Sequence, residues 1–209
     1  MSLSYNRIAG QSVERLAALS DGIFAVAMTL LVLDLHTPNR QSIHSERDLL
    51  VALGAMGPQM ITVLMSFLTL TIFWNGQQAE INRFARADRH VTWMSMAFLC
   101  AISVLPFSTR LLAEFIGYRT ALLCYWGNIV APGFLLYGIW RYACHYGLVK
   151  EDVTYDVRCA IERRILIAQA LYAAGAAMCL VNTYVSIGFI VLVQLNFAIA
   201  PRIFRLNRF

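Results

Sequence analysis

The sequence predicts an all-α, polytopic membrane protein of about six transmembrane helices, and three observations predict it. The first is composition: 59% of the 209 residues are hydrophobic, 14% are charged, and the mean hydropathy is +0.60. Soluble domains are near half apolar and about a quarter charged, so a soluble chain of this kind would leave much apolar surface in water. The second is that the apolar residues fall in blocks, and a bilayer core asks for roughly 20 of them per crossing helix. The third is the alternation of charge between blocks. Lys and Arg number 13 on one set of alternate segments (Arg7, Arg15; Arg83, Arg86, Arg89; Arg141, Lys150, Arg158, Arg163, Arg164; Arg202, Arg205, Arg208) and 4 on the other (Arg40, Arg47, Arg110, Arg119). Basic residues gather on the cytoplasmic side, which predicts an even number of spans with both termini cytoplasmic. Six crossings leave little chain for anything else, so residues 1–209 read as one membrane domain.

The first segment runs from about Val13 to Leu35, followed by a polar loop, His36 to Asp48. Arg7 and Arg15 precede a 12-residue apolar run, Gly22 to Leu33, which invites a signal-peptide reading. Glu14 and Asp21 interrupt its approach and no small-residue cleavage site follows, so the segment stays a membrane helix. The second segment spans about Leu49 to Trp74, before a polar and basic stretch, Asn75 to His90. The third covers about Val91 to Leu112 and the fourth about Thr120 to Trp140. A long polar stretch, Arg141 to Arg164, leads to the fifth, Ile165 to Leu180; Asn182-Thr183 turns into the sixth, Tyr184 to about Phe204. Pro58, Pro106 and Pro132 fall inside blocks and are expected to be packing kinks. Ala170, Ala173, Ala174, Gly175, Ala176 and Ala177 give the fifth segment a surface for close backbone approach. The two halves share no motif of the kind that marks an inverted-repeat transporter.

Several function classes fall away. The net charge of +5 and pI near 9.1 come from basic residues between apolar blocks, without an aromatic-interleaved patch, so nucleic acid is not an expected partner. Cys100, Cys124, Cys144, Cys159 and Cys179 show no CxxC or CxxH spacing, and neither a disulfide framework nor a metal site is expected. His36, His44, His90 and His145 are scattered, no acid stands beside any of them at metal-ligand spacing, and no nucleophile-base pattern appears. An enzyme is not expected, and no cofactor is.

The chemistry concentrates in Arg15 to Asp34, RLAALSDGIFAVAMTLLVLD. If Asp21 capped the helix, the remainder would be too short to cross about 30 Å of hydrocarbon. The helix therefore starts earlier and Asp21 lies inside it, about 9 Å deeper than Arg15 at 1.5 Å per residue. A carboxylate at that depth faces a bundle interior or water and has a partner. A structural lock to a neighbouring helix is the preferred reading; direct contact with an ion is the other. Beyond it, Val26, Leu30 and Leu33 form a stripe at i, i+4 and i+7, with Thr29 beside it. Helix packing is the default meaning of such a stripe. Lining a pore, it would give apolar rings with one hydroxyl ring, and an apolar constriction gates by dewetting. Spacing does not choose between the two.

Arg15, Leu19, Ser20 and Asp21 resemble the RxxxFSD signature of the transmembrane protein 175 family of potassium channels. The small residue after it, the Thr-containing apolar run and the Leu33-Asp34-Leu35 end are similar too, as are Phe73-Trp74, Asp88, Trp93 and Leu105-Pro106-Phe107. The likeness covers about residues 13 to 112 by motif and the remainder by helix count.

What the resemblance implies is a prokaryotic plasma (inner) membrane channel: one six-helix unit per chain, a homotetramer in lipid, conducting K+ through a central pore lined by the first helix. The constriction would be Val26, with Leu30 and Leu33 as the next apolar layers and Thr29 as a hydroxyl layer tied to selectivity. Arg15, Ser20 and Asp21 would form the signature polar network. No Thr-Val-Gly-Tyr-Gly segment occurs, so a carbonyl filter of that kind is not part of the expectation. Two departures matter. Leu19 replaces Phe, and Gln77-Gln78 stands where a His pair is expected; glutamines keep hydrogen bonds but do not protonate. The alternative function is a secondary ion transporter with Asp21 as its coupling carboxylate.

Overall fold

The computed structural model describes residues 12–33, 35 and 37–199, all helix, turn and loop apart from one isolated β-bridge. Arg7, Asp34, His36, Arg202, Arg205 and Arg208 lie outside the described residues. Helix α1 spans Val13–Leu33, within two residues of the segment expected. A 3-10 turn, Arg40–Ser42, leads to α2, Glu46–Ala55. There the Ser45 hydroxyl accepts from the Asp48 N–H (3.2 Å) and the Asp48 carboxylate from the His44 N–H (3.1 Å). Hydrogen bonding to the carboxylate, from the Ser45 side chain first and the His44 N–H second, holds the Asp48 carboxyl below its ordinary value.

Two expected kinks are full breaks. The second segment divides at Met56 into α2 and α3, Gly57–Ile81, with Pro58 in the first turn of α3. The third divides at Val104 into α4, Arg89–Ser103, and α5, Leu105–Glu114, with Pro106 in the first turn of α5. Proline lacks an N–H and starts a helix more readily than it continues one. At the second break the Asn128 amide donates to the Ala101 carbonyl (3.0 Å) and accepts from Ser108 (3.0 Å). This is the side-chain compensation that lets a helix break at membrane depth. Pro132 alone stays inside a helix, α6, Arg119–His145.

Two polar stretches are shorter than expected. Helix α3 runs seven residues past Trp74 because Gln77 and Glu80 turn into the subunit. Helix α7, Tyr155–Ala177, begins ten residues before Ile165. Its charged first turns are helical, capped by Thr154 and tied to α6 by an Arg141–Glu162 ion pair (3.5 Å). A 3-10 turn, Met178–Leu180, precedes α8, Thr183–Ile199. Among the described residues, four helical stretches are long and apolar enough to cross a membrane: α1, α3, α4 with α5, and α6. Helix α7 carries too many charges to qualify by composition, and α8, at 17 residues, is too short.

The interior is built around α3. Its buried face carries Thr62, Ser66, Thr69, Phe73, Gln77 and Glu80. Phe73 and Phe24 of α1 both meet Phe98 of α4, with ring centroids 6.2 and 6.1 Å apart. Deeper along α3, Ser66 and Thr69 share the Tyr125 hydroxyl (3.2 and 3.0 Å), Thr109 donates to Ser66 (2.7 Å), and Gln194 donates to Thr69 (2.7 Å). Helices α3, α5, α6 and α8 are thus joined through one polar cluster, where side-chain bonds and small residues hold membrane helices together.

The loops after α3 and α6 are stitched backbone to backbone. Ala85 N–H donates to Leu148 O (2.8 Å) and Lys150 N–H to Arg83 O (2.9 Å), around a Phe84–Val149 antiparallel bridge. Gly147, at φ +64°, closes α6 in the left-handed conformation that glycine adopts without penalty, and the Leu148 N–H returns to the Ala143 carbonyl (2.9 Å).

Candidate functional site

Helix α1 has two unlike faces. Leu16, Ser20, Phe24, Ala27 and Leu31 are buried, at the spacing of one helical stripe. The opposite face is bare in the single subunit: Val26 is 58% exposed, Leu30 42% and Leu33 75%, with Leu19 and Thr29 exposed beside them. Val26, Thr29, Leu30 and Leu33 therefore share one side of the helix, turned away from the subunit's own core. Leu19, Val26 and Leu30 line a groove with Gly22, Ile23 and Ser103.

The small residues of this face matter. Ala18, Gly22 and Ala25 are exposed at i, i+4 and i+7, and a Cβ added at Gly22 would meet nothing within 4 Å. Such a stripe lets another helix approach closely. The Thr29 hydroxyl donates to the Val26 carbonyl (2.8 Å). With its proton committed to the backbone, that oxygen has lone pairs to offer to a cation or a water.

Two polar attachments hold α1 to α3. The buried Ser20 hydroxyl donates to the Gln77 side-chain carbonyl. The Asp21 carboxylate oxygen Oδ1 accepts from the Trp74 indole (2.7 Å) and the Gln78 amide (2.7 Å). Two donors on one carboxylate oxygen fix the side chain against α3. Arg15 stands apart from this arrangement. It is exposed, and among the described residues only its backbone N–H bonds, to Ser12 (3.2 Å).

Asp88, one of the motif residues, is structural at both oxygens: one caps α4 through the Val91 N–H (2.8 Å), the other accepts from Tyr142 on α6 (2.8 Å). Sequence reasoning missed the buried Glu80 and the Tyr125 cluster. The available signal was the spacing of Thr62, Ser66, Thr69, Gln77 and Glu80, polar residues on one face of an apolar helix. No group of three or more His, Cys, Asp or Glu side chains able to hold a metal ion occurs among the described residues.

The chain is similar to several known proteins. The sequence model of the endosomal/lysosomal potassium channel TMEM175 matches residues 15–106. A potassium channel of Chamaesiphon minutus is 26% identical over 190 residues, 88% of this chain and 93% of that one. A potassium channel of Streptomyces collinus is 34% identical over 102 residues, about half of each chain. The mouse endosomal/lysosomal proton channel TMEM175 is 28% identical over 109 residues, which is 50% of this chain and 22% of that one. The crystal structure of a lysosomal potassium-selective channel TMEM175 homolog from Chamaesiphon minutus superposes with a TM-score of 0.79 at 25% identity. That match covers 90% of this chain and 97% of the other.

Proposed function

We propose that the chain is a member of the TMEM175 family of membrane ion channels, which are not enzymes, and that it conducts K+ through a central pore lined by α1. Four copies surround one axis in a prokaryotic inner membrane, since closed symmetry is the rule for such assemblies. Each subunit crosses the bilayer six times, with α7 and α8 as the fifth and sixth spans and both termini cytoplasmic. The positive-inside distribution of Lys and Arg supports that orientation. Residues 1–209 act as one channel domain.

The observation that carries the reading is the bare face of α1. Exposed apolar side chains alone would suit lipid. Here they stand with a hydroxyl, an exposed carboxylate and a stripe of small residues, and lipid suits none of those three. Neighbouring copies of α1 and an aqueous axis suit them all. In that arrangement Val26 forms the narrowest ring and imposes a dehydration cost, because hydrocarbon replaces none of the water around a cation. K+ holds its hydration shell less tightly than Na+ and crosses at lower cost. Thr29, one turn away, offers oxygen lone pairs to ease the step, and Leu30 and Leu33 extend the apolar lining. The fixed Asp21 acts as a lock and not as a coupling carboxylate. Arg15 supplies positive charge at the helix entrance, without a partner in the network.

Planar-bilayer recording with K+ on one side and Na+ on the other tests this. Unitary current steps with a reversal potential favouring K+ are expected. Saturable, gradient-coupled flux without unitary steps would replace the channel with a transporter.

A further inference from the structure

The α3 face that grips α1 continues one turn further, to a carboxylate without an assigned role. Glu80 is 1% exposed, and neither of its carboxylate oxygens has a hydrogen-bond partner. It lines a cavity of about 70 Å3 with Phe73, Gly76, Leu136, Arg164 and Gln169, between α3, α6 and α7. Such a volume admits about two waters at roughly 30 Å3 each. Three neighbours are also unsatisfied: the Gln169 Oε1 acceptor, the Gln77 Nε2 donor and the hydroxyl of Tyr172, which lines the same cavity. Gln169 is held in place because it lies directly against Gly133 of α6, where a Cβ would overlap its amide.

We propose that Glu80 is a proton-binding site inside each subunit, and that gaining or losing this proton switches how α3 holds the first helix. The two states need different partners. With the proton on, Glu80 has an O–H to donate and Gln169 Oε1 is the free acceptor on α7. With the proton off, Glu80 is acceptor-only, and the free donor on its own helix is Gln77 Nε2, three residues back on the same face, with the Tyr172 hydroxyl free on α7. The other side-chain atom of that amide, Gln77 Oε1, receives the Ser20 hydroxyl of α1. An amide that turns toward an ionised Glu80 alters the bond to Ser20. The proton on one carboxylate is thereby read at the pore helix. Gln77-Gln78 occupies the place of an expected His pair and does not titrate, so Glu80 is the titratable group on this face.

Charged and titratable neighbours come from every side. On α7, Arg164 lines the cavity and the buried Arg158 Nε has no partner; Glu162 pairs with Arg141 of α6. Cys144 of α6 lies within electrostatic range of Glu80, Arg158, Glu162 and Arg141. Among the described residues no ion pair joins Glu80 to Arg158 or Arg164 of α7. Helix α8 contributes Phe197 to the cavity and no titratable side chain except Tyr184 at its far end. Asp21 meets α3 through Trp74 and Gln78.

The consequence for flux rests on the channel reading above; the proton site does not. The full-length protein in liposomes serves both arms of the test. In the infrared arm, acid-minus-alkaline difference spectra should contain a protonated-carboxyl band that Glu80→Gln lacks and that Gln169→Met displaces in pH midpoint. In the flux arm, K+ flux should change several-fold as the pH on the basic-loop side is swept at constant outer pH, and Glu80→Gln should flatten that response. Identical infrared titrations in wild type and Glu80→Gln overturn the site, as does an unmoved midpoint in Gln169→Met. A pH response that survives Glu80→Gln overturns the switch. The infrared band without K+ flux in the wild type would instead break the channel reading and leave the site standing.

Discussion

The two faces of α1 differ in what holds them. The buried face is saturated with contacts: Phe24 against Phe98, Leu31 fully enclosed, Ser20 bonded to Gln77. The bare face has no tertiary partner for Val26, Leu30 or Leu33, and the one hydroxyl there bonds only its own helix. A single helix thus separates its two tasks by about half a turn. One side anchors it in the subunit, and the other is left to be completed by further copies. Substitutions on the two sides should consequently fail in different currencies, stability on one and permeation on the other.

The sharpest break should come from Phe24→Ala on the buried face. It empties an aromatic site enclosed by two helices, and such truncations cost about 3–5 kcal/mol. Detergent-solubilised protein should melt well below wild type, while any channels that do assemble keep wild-type reversal potentials. A shift of selectivity at unchanged stability would erase the distinction between the faces.

Next in size is Val26→Asn on the bare face. Wetting the constriction should raise unitary conductance and reduce the K+ over Na+ preference by up to about tenfold, or ~1.4 kcal/mol. Melting should stay within about 0.5 kcal/mol of wild type, as for a residue outside the packed interior. Asp21→Asn belongs between the faces. It keeps the shape but weakens a charge-assisted pair of bonds worth about 1.5–3 kcal/mol each at most. Reduced oligomer stability on size-exclusion with light scattering and altered open probability are expected, with ion preference little changed. A move toward anions at full stability would put Asp21 on the permeation path. Thr29→Val is the mildest: it keeps the side-chain shape, removes one oxygen, and should lower K+ preference a few-fold without closing the pore. Should bi-ionic potentials be unchanged in both Val26→Asn and Thr29→Val, the bare face is a packing surface.

Most of the fold was legible wherever hydropathy and burial coincide. The apolar run from Gly22 to Leu33 marks α1, whose bounds were readable to within two residues. Legibility failed where polar residues turn inward. Gln77 and Glu80 lower the local hydropathy like a loop, yet they sit on the same face as Thr62, Ser66 and Thr69, and the helix continues through them. It failed again in the first turns of α7, where Arg158, Glu162, Arg163 and Arg164 are helical but charged. Pro58 and Pro106 were visible as interruptions, but whether a proline bends a helix or ends it depends on neighbours such as Asn128, which no local window contains. For the site, spacing alone showed that Val26, Leu30 and Leu33 share a side. That this side is bare needed the packing of α3 and α4 against the other. The attachment of Asp21 to Trp74 and Gln78 joins residues more than 50 positions apart, beyond any periodicity.

The stitch between the loops after α3 and α6 bears on what this junction asks of the sequence. It is made of N–H and C=O groups, Ala85 to Leu148 and Lys150 to Arg83, which every amino acid except proline supplies in full. These main-chain bonds place no demand on side-chain identity, while Phe84, Leu148 and Val149 between them are held by burial. A change of side chain at Ala85 or Lys150, proline apart, leaves the N–H that docks the second half of the chain on the first.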